Sequence, residues 1–304
     1  MIEIENLSYQ YPNSSKKALK NVQLSINKGD LLGLVGPNGA GKTTLISLLT
    51  GILQHKTGNI TISGYSIAKS AQEIKQMIGY IPQEYAFYPN LTGYENLQFF
   101  AGVQGIKHSK ARSRIEYCLD FCQLKQVSQQ RTSKFSGGLK RRLNIAIGLL
   151  ADPAIFLFDE PTVGIDPQSR AFILQKIKSL QSLGKTIIYT SHYMEEVEQL
   201  CDSIAIIDNG ELLMQSTLQS LQQKKLIVTC KNKIDADSLM SLKAQFKLSV
   251  EDRKIEFQQV DSMPRFYQVL AELQKTQLQI DSMSYKENNL EQLFLDLTSR
   301  KLRD

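Results

Sequence analysis

The chain has 304 residues, 42% hydrophobic and 22% charged, with a net charge of +6. That length suits one large domain or two ordinary ones, and the composition is too apolar for wholesale disorder. No run of about 18 apolar residues is free of charge, which excludes an encoded transmembrane helix. The opening residues MIEIENLSYQ carry acids where a signal peptide needs a basic region and an apolar run. A cytoplasmic protein is therefore expected. The modest positive charge suits nucleic acid, an anionic membrane or an acidic small molecule equally. Cys118, Cys122, Cys201 and Cys230 form no CxxC pair, and none of the three histidines is placed to complete a zinc site, so buried reduced thiols are expected.

Short apolar runs at 2–4, 22–26, 31–35 and 60–62 read as strands. Residues 96–121 read as helix with a break near Gly102 and Gly105. Residues 144–150 read as helix and 154–158 as a buried strand. An amphipathic helix over 169–183 ends at Gly184, a C-cap signal. Further strands follow at 186–190 and 204–207. Strands alternating with helices predict α/β layers around a largely parallel sheet. All 18 glycines lie at or before Gly210, and only Pro264 among the prolines lies beyond it. This shift places a boundary around 212–222. The second part reads as a small α+β domain, with strands at 226–230, 254–257 and 278–283 and helical patterns around 238–246 and 266–275. An amphipathic helix over 289–302 closes the chain, with Leu290, Leu293, Phe294 and Leu297 on one face.

The strand at 31–35 runs into Gly36-Pro37-Asn38-Gly39-Ala40-Gly41-Lys42-Thr43, followed by a helix-like stretch from Thr44. This is the pattern GxxxxGK[ST]. Its glycines let a loop wrap phosphate with backbone N–H groups inward, and the next helix N-terminus adds its positive dipole end. Lys42 should reach the β- and γ-phosphates, and the Thr43 hydroxyl should bind Mg²⁺. The apolar strand at 154–158 ends in Asp159-Glu160, at the end of a parallel strand where ligands bind. One carboxylate suits a metal's water shell, and the other can take a proton from attacking water. Ser136-Gly137-Gly138 precedes a helix start, with Ser136 as N-cap.

Taken in order, the phosphate loop, Gln83, the SGG turn, Asp159-Glu160 and a lone histidine after a strand resemble the ATP-binding subunit of an ABC transporter. The resemblance covers residues 1–220 closely and the remainder more loosely. It implies an α/β P-loop NTPase core over 1–215, with a helical subdomain at about 84–150, and a small α+β domain of unassigned role over 222–304. Residues 36–43 resemble the Walker A loop, with Thr44 beside it. Gln83, in Ile81-Pro82-Gln83-Glu84, resembles the Q-loop glutamine that touches Mg²⁺ and the attacking water. Phe135-Ser136-Gly137-Gly138-Leu139 resembles the signature LSGGQ, with Phe135 in place of Leu and Leu139 in place of Gln. Asp159 and Glu160 resemble the Walker B aspartate and general base, and Asp166 closes a D-loop-like stretch while also suiting a helix cap. His192 resembles the switch histidine at the γ-phosphate. Tyr11 resembles the ring that stacks on adenine, although Tyr9 is equally aromatic.

The resemblance further implies ATP and Mg²⁺ as ligands, and a head-to-tail dimer with a second copy or a homologue, because each ATP needs one chain's Walker A loop and the other's SGG turn. Separate membrane permease subunits would hold the chain at the inner face of the membrane, with no nucleic acid as partner. The stretch Phe135-Ser136-Gly137-Gly138-Leu139-Lys140-Arg141-Arg142, the stretch Ser191-His192-Tyr193-Met194-Glu195-Glu196 and the ending Asn289-Leu290-Glu291-Gln292-Leu293-Phe294-Leu295 are similar to drug- and antibiotic-exporter subunits. A soluble ABC ATPase acting on ribosomes or DNA is the competing class; the single ATPase unit and the lack of sustained heptads argue against it. The segment 84–100 is unusually aromatic. Tyr85, Phe87 and Tyr88 are expected to be exposed for a partner, and Phe99 and Phe100 to fill the helical subdomain's core.

Overall fold

The structure is a computed structural model that describes all residues except 222–223, 235–238, 261, 277, 288–289 and 299–304. The chain divides into two compact units, Met1–Ser216 and Thr217–Lys301.

In the first unit, β1 (Ile2–Gln10) pairs antiparallel with β2 (Lys17–Ile26) and β4 (Thr57–Ile62), and β5 (Tyr65–Ser66) extends that sheet. A register shift between Ile4 and Leu7, with Asn6 at φ +50°, re-phases the alternation of β1. Ile2 and Ile4 face the core before the shift, and Leu7 and Tyr9 after it. The second sheet has the order β10-β9-β3-β8-β7-β6. Its members are β3 (Leu31–Val35), β6 (Ile78–Ile81), β7 (Ile155–Asp159), β8 (Thr186–Ser191), β9 (Ser203–Asp208) and β10 (Glu211–Thr217). The pairs of β3 with β8 and β9, of β7 with β8, and of β6 with β7 are parallel. β3, β7 and β8 are buried along their whole length, as strands covered on both faces must be. β9 turns into β10 through Asn209-Gly210, both at positive φ, the two-residue hairpin that these residues favour.

Seven helices of this unit are α1 (Lys42–Leu49), α2 (Ala71–Met77), α3 (Gly93–Val103), α4 (His108–Phe121), α5 (Gly137–Leu149), α6 (Pro167–Ser182) and α7 (Met194–Leu200). α1 shares one buried cluster with both sheets, and α3, α4 and α5 pack on one another. α2, α7, β5, β6 and β10 are absent from the sequence expectations. Thr92 and Glu95 cap α3 reciprocally, a capping box. The face that α3 buries carries Asn96, Leu97 and Ala101. Phe99 is therefore 43% exposed and Phe100 half-buried, which corrects the expectation that both fill the core. The four cysteines are free and buried, and burial pushes the Cys118 thiol up to about 12.

In the second unit, after α8 (Leu218–Leu221), come β11 (Lys224–Cys230), α9 (Met240–Gln245), β12 (Leu248–Glu251), β13 (Lys254–Phe257), α10 (Met263–Gln274), β14 (Ile280–Glu287) and α11 (Leu290–Thr298). The sheet has the order β12-β13-β11-β14, antiparallel throughout. That is the split β-α-β arrangement of a β-α-β-β-α-β chain. Leu226, Val228, Ile255 and Phe257 from the sheet join Leu242, Phe246, Val269 and Leu273 in one core. α11 buries Leu290, Phe294 and Thr298, whereas Leu297 is 37% exposed. The buried stripe follows i, i+4 spacing and so leaves Leu297, expected on the apolar face, at its margin.

Candidate active site

Because β3, β6, β7 and β8 run parallel, their C-terminal ends lie along one edge of the sheet. Val35 is level with Ser191, Asp159 with Thr190, and Ile81 with Phe158. The loop 36–41 leaves β3 at that edge and turns into α1. Gly36 has no room for a side chain: a Cβ there would lie 2.2 Å from the Ile207 carbonyl oxygen. Gly41, the N-cap of α1, has φ +112°, a left-handed conformation that glycine adopts without strain. The first N–H groups of α1 lack intrahelical partners and carry its positive dipole end. Lys42 is buried within the curl, where its Nζ donates to Gly36 O at 2.7 Å and Pro37 O at 3.3 Å. Asn38, Gly39 and Ala40 line the mouth.

Glu160 follows β7 with φ +46°, a strained conformation for a non-glycine residue. Its N–H donates to Thr190 Oγ1 at 2.9 Å, and that hydroxyl donates to Asp159 Oδ1 at 2.9 Å. The Glu160 carboxylate sits between Lys42 and His192: Oε1 is 3.4 Å from Lys42 Nζ and Oε2 is 3.5 Å from His192 Nδ1. Thr43 Oγ1 donates to Asp159 Oδ1 at 3.4 Å. Burial raises the Asp159 carboxyl above its usual range, opposed by the hydrogen bonds from Thr190 and Thr43. Tyr80, from β6, is pushed up to about 12 by its own burial and then by the Asp159 charge.

An open cleft of about 560 Å³ covers this edge, lined by residues 38–44 together with Tyr11, Gln83, Glu160 and His192. Tyr11 is exposed at one end, its hydroxyl 3.2 Å from Thr44 Oγ1, with Tyr9 packed edge-on beneath it at 5.0 Å. The bulge in β1 sends Tyr9 toward the core and leaves Tyr11 to the cleft. The Gln83 loop is clamped from α5: Arg141 donates to the carbonyls of Pro82 and Gln83, each at 2.8 Å, and Asn144 to that of Glu84 at 3.0 Å. Sequence reasoning did not single out Arg141, Asn144 or Thr190 for the site.

The structure does not bring Ser136, Gly137, Gly138 or Asp166 into this cleft. Ser136 caps α5 by accepting from Leu139 N at 3.3 Å, and the Tyr85 hydroxyl donates to Gly137 O at 3.4 Å. Phe135, where the LSGGQ pattern has Leu, is buried. Asp166 caps α6 by accepting from Ser169 N at 2.9 Å, and that backbone bond holds its carboxyl below the usual range.

The ABC transporter family description matches residues 19–163. Over its full length, and over 100% of the relative, the chain is 41% identical to a linearmycin resistance ATP-binding protein of Bacillus subtilis (strain 168). The chain belongs to the ABC transporter ATP-binding family. This ABC ATPase is also 32% identical to a Nod factor export ATP-binding protein of Ralstonia nicotianae, covering 100% of this chain and 95% of that one. A solved dimeric, post-hydrolysis ATP-binding cassette holding ADP and Pi is 26% identical, with a TM-score of 0.66 over 72% of this chain and 99% of that chain. This ABC ATPase is thus an ATP-binding, ATP-hydrolysing subunit. Among its described residues no helix is long and apolar enough to cross a membrane.

Proposed function

We propose that this ABC ATPase powers export, turning over ATP at two composite sites formed with a second copy or a homologue. The observation that carries the reading is the Glu160 carboxylate, held between Lys42 and His192 at the mouth of the phosphate loop. In that position Glu160 takes the proton of an attacking water. The loop N–H groups and Lys42 hold the β- and γ-phosphates, and His192 orients the γ-phosphate. Tyr11 stacks on the base. Among the described residues no three of His, Cys, Asp and Glu cluster as a self-contained metal site. The Thr43 and Asp159 oxygens, 3.4 Å apart, fit Mg²⁺, which takes one or two protein oxygens and completes its shell with water and substrate phosphates. Thr43 Oγ1, Asp159 and Gln83 offer hard oxygen donors to it. When bound, Mg²⁺ neutralises phosphate charge in the transition state.

Ser136, Gly137 and Gly138 lie outside their own chain's cleft, which supports their serving the partner's ATP, with Asp166 at the same junction. The names of the two relatives, antibiotic resistance and Nod factor export, support the export direction. The permease would be separate polypeptides, with this subunit peripheral on the inner face of the membrane. Residues 1–215 would carry the chemistry, with 84–150 as the helical subdomain, and 222–304 an accessory role.

The test is Glu160→Gln. Loss of a positioned general base costs on the order of 10²–10⁴ in rate. Steady-state turnover should fall by that much, while ATP affinity by titration calorimetry is retained. Turnover near wild type would remove Glu160 from the role.

A further inference from the structure

The stretch from Ser191 to Glu196 ends in a buried acid with no task in the chemistry above. Glu196, in the first turn of α7, is 4% exposed. Its Oε2 accepts three hydroxyl hydrogen bonds, from Tyr189, from Thr162 at 2.9 Å and from Ser191 at 3.1 Å. Its Oε1 faces Arg170 Nε at 3.3 Å, an ion pair without hydrogen-bond alignment. A buried carboxylate is expensive unless charge and lone pairs are met, and here four side chains converge on one. Tyr189 is fully buried and its hydroxyl is pushed well above the usual range, by burial and then by the Glu196 charge, so it stays a donor.

Those four partners belong to segments that already frame the site. Ser191 precedes His192, and its Oγ also accepts from Tyr193 N at 3.0 Å. The backbone on both sides of His192 is thereby tied to one carboxylate. The Tyr193 ring lies 4.1 Å from the His192 ring and under the Arg170 guanidinium at 4.8 Å. Thr162 is two residues beyond Glu160, and Arg170 N donates to Asp166 O at 2.9 Å. Glu196 thus bonds both the His192 turn, through Ser191, and the segment leaving Glu160, through Thr162.

We propose that Glu196 is a positioning residue for ATP hydrolysis: with Arg170 it fixes the His192 turn against the Glu160 segment, so that His192 meets the γ-phosphate while Glu160 holds water. The proposal rests on the role given to His192 above. A carboxylate serving only the fold would let rate and binding fall together. A positioning carboxylate acts on the transition state and spares ground-state binding.

Glu196→Gln keeps the volume and an oxygen acceptor but removes the charge that Arg170 faces. In the full-length protein kcat should fall about tenfold or more, while KM and the dissociation constant of a fluorescent ATP analogue stay within about twofold. Ser191→Ala should lower kcat in the same way, and the double variant should be no slower than the slower single one, because both act through one element. Arg170→Met reaches the same carboxylate from its half-exposed side and carries the same expectation should Glu196→Gln not fold. Losses that multiply, or KM and binding that weaken in step with kcat, overturn the proposal. His192→Ala separates it from the assignment beneath. A wild-type rate there removes the role of His192 and the proposal with it. A slow His192→Ala beside a wild-type Glu196→Gln overturns the proposal alone.

Discussion

Asp159 carries the clearest conflict between stability and chemistry at the scale of one residue. Its carboxyl is raised by burial, in spite of the bonds from Thr190 and Thr43, and by the neighbouring Glu160. An acid whose folded-state pKa is raised holds its proton more tightly folded than unfolded. Its charged form therefore costs stability at every pH above the folded value, and the cost fades as pH falls through that value. Asp159→Asn removes the charge and keeps an oxygen acceptor. We expect its melting midpoint at pH 7 to rise, on the scale of a few degrees, while Mg²⁺-dependent hydrolysis is lost. The rise should shrink in acid, where the wild-type carboxyl is protonated as well. Calorimetry at both pH values checks this; a lower midpoint at pH 7 would contradict it. The choice between Tyr9 and Tyr11 was also made at this scale. Both are aromatic and two apart, so strand alternation puts them on one face. Tyr11 lies beyond the end of β1, and the bulge at Asn6 decides which way Tyr9 points.

Among elements, α3 and the segment before it have a surface that asks for a partner. Tyr85, Tyr88, Phe99 and Val103 are exposed, and Tyr88 and Phe99 touch at 4.9 Å; Phe87, expected to be exposed, is half-buried, its ring 5.7 Å from that of Tyr85. Exposed apolar side chains gathered in one segment mark a candidate interaction site. It adjoins the Gln83 loop, which Arg141 and Asn144 anchor to the helix beginning at the SGG turn. Movement at Gln83 can therefore be passed to a docked permease. Phe87→Ser with Tyr88→Ser should leave the isolated subunit's ATPase within about twofold, because neither ring lines the cleft, and should abolish co-purification with the membrane subunit or transport. If assembly and transport both survive, the permease docks elsewhere. The exposure of Phe99 was hidden in the sequence because a polar residue holds the core position. Asn96 is fully buried, accepts from Tyr88 N at 2.8 Å, and donates to Tyr88 O at 3.0 Å and Thr92 O at 2.9 Å. Apolar periodicity cannot register a side chain that is inside in order to close a loop.

For the whole molecule, the proposed dimer would take one half of each of two sites from each chain. The SGG turn is outside its own chain's cleft, and an anion at the N-terminus of α5 is favourable. Lys42→Ala and Ser136→Arg should each abolish steady-state hydrolysis, the first by deleting a charge that faces phosphate and the second by blocking the turn. Mixing the two inactive variants should restore activity, because one site of the mixed dimer then combines an intact loop with an intact turn. Titrating one variant into the other and following phosphate release reads this directly. A mixture as inactive as its components would argue that each chain works alone.

The phosphate loop was legible because everything it needs lies within eight consecutive residues between a strand and a helix: Gly36 for a close approach, Gly41 for a left-handed turn, then Lys42 and Thr43 for ligands. Asp159-Glu160 was legible for a similar reason, since an apolar run that ends in acids marks the edge of a buried strand without knowledge of its neighbours. The hairpin at Asn209-Gly210 was equally local, and β10 could have been read from it. Local pattern stops where partners are distant in the chain. Lys42 meets Glu160 only because β3, β8 and β7 lie side by side in parallel register. Glu196 draws its bonds from residues 162, 170, 189 and 191 only because α6 and α7 pack together beside the end of β8. A residue's type and its neighbours within a turn or two decide strand, helix or loop. Which charged groups share a buried space is decided by strand order and helix packing, which no single segment encodes.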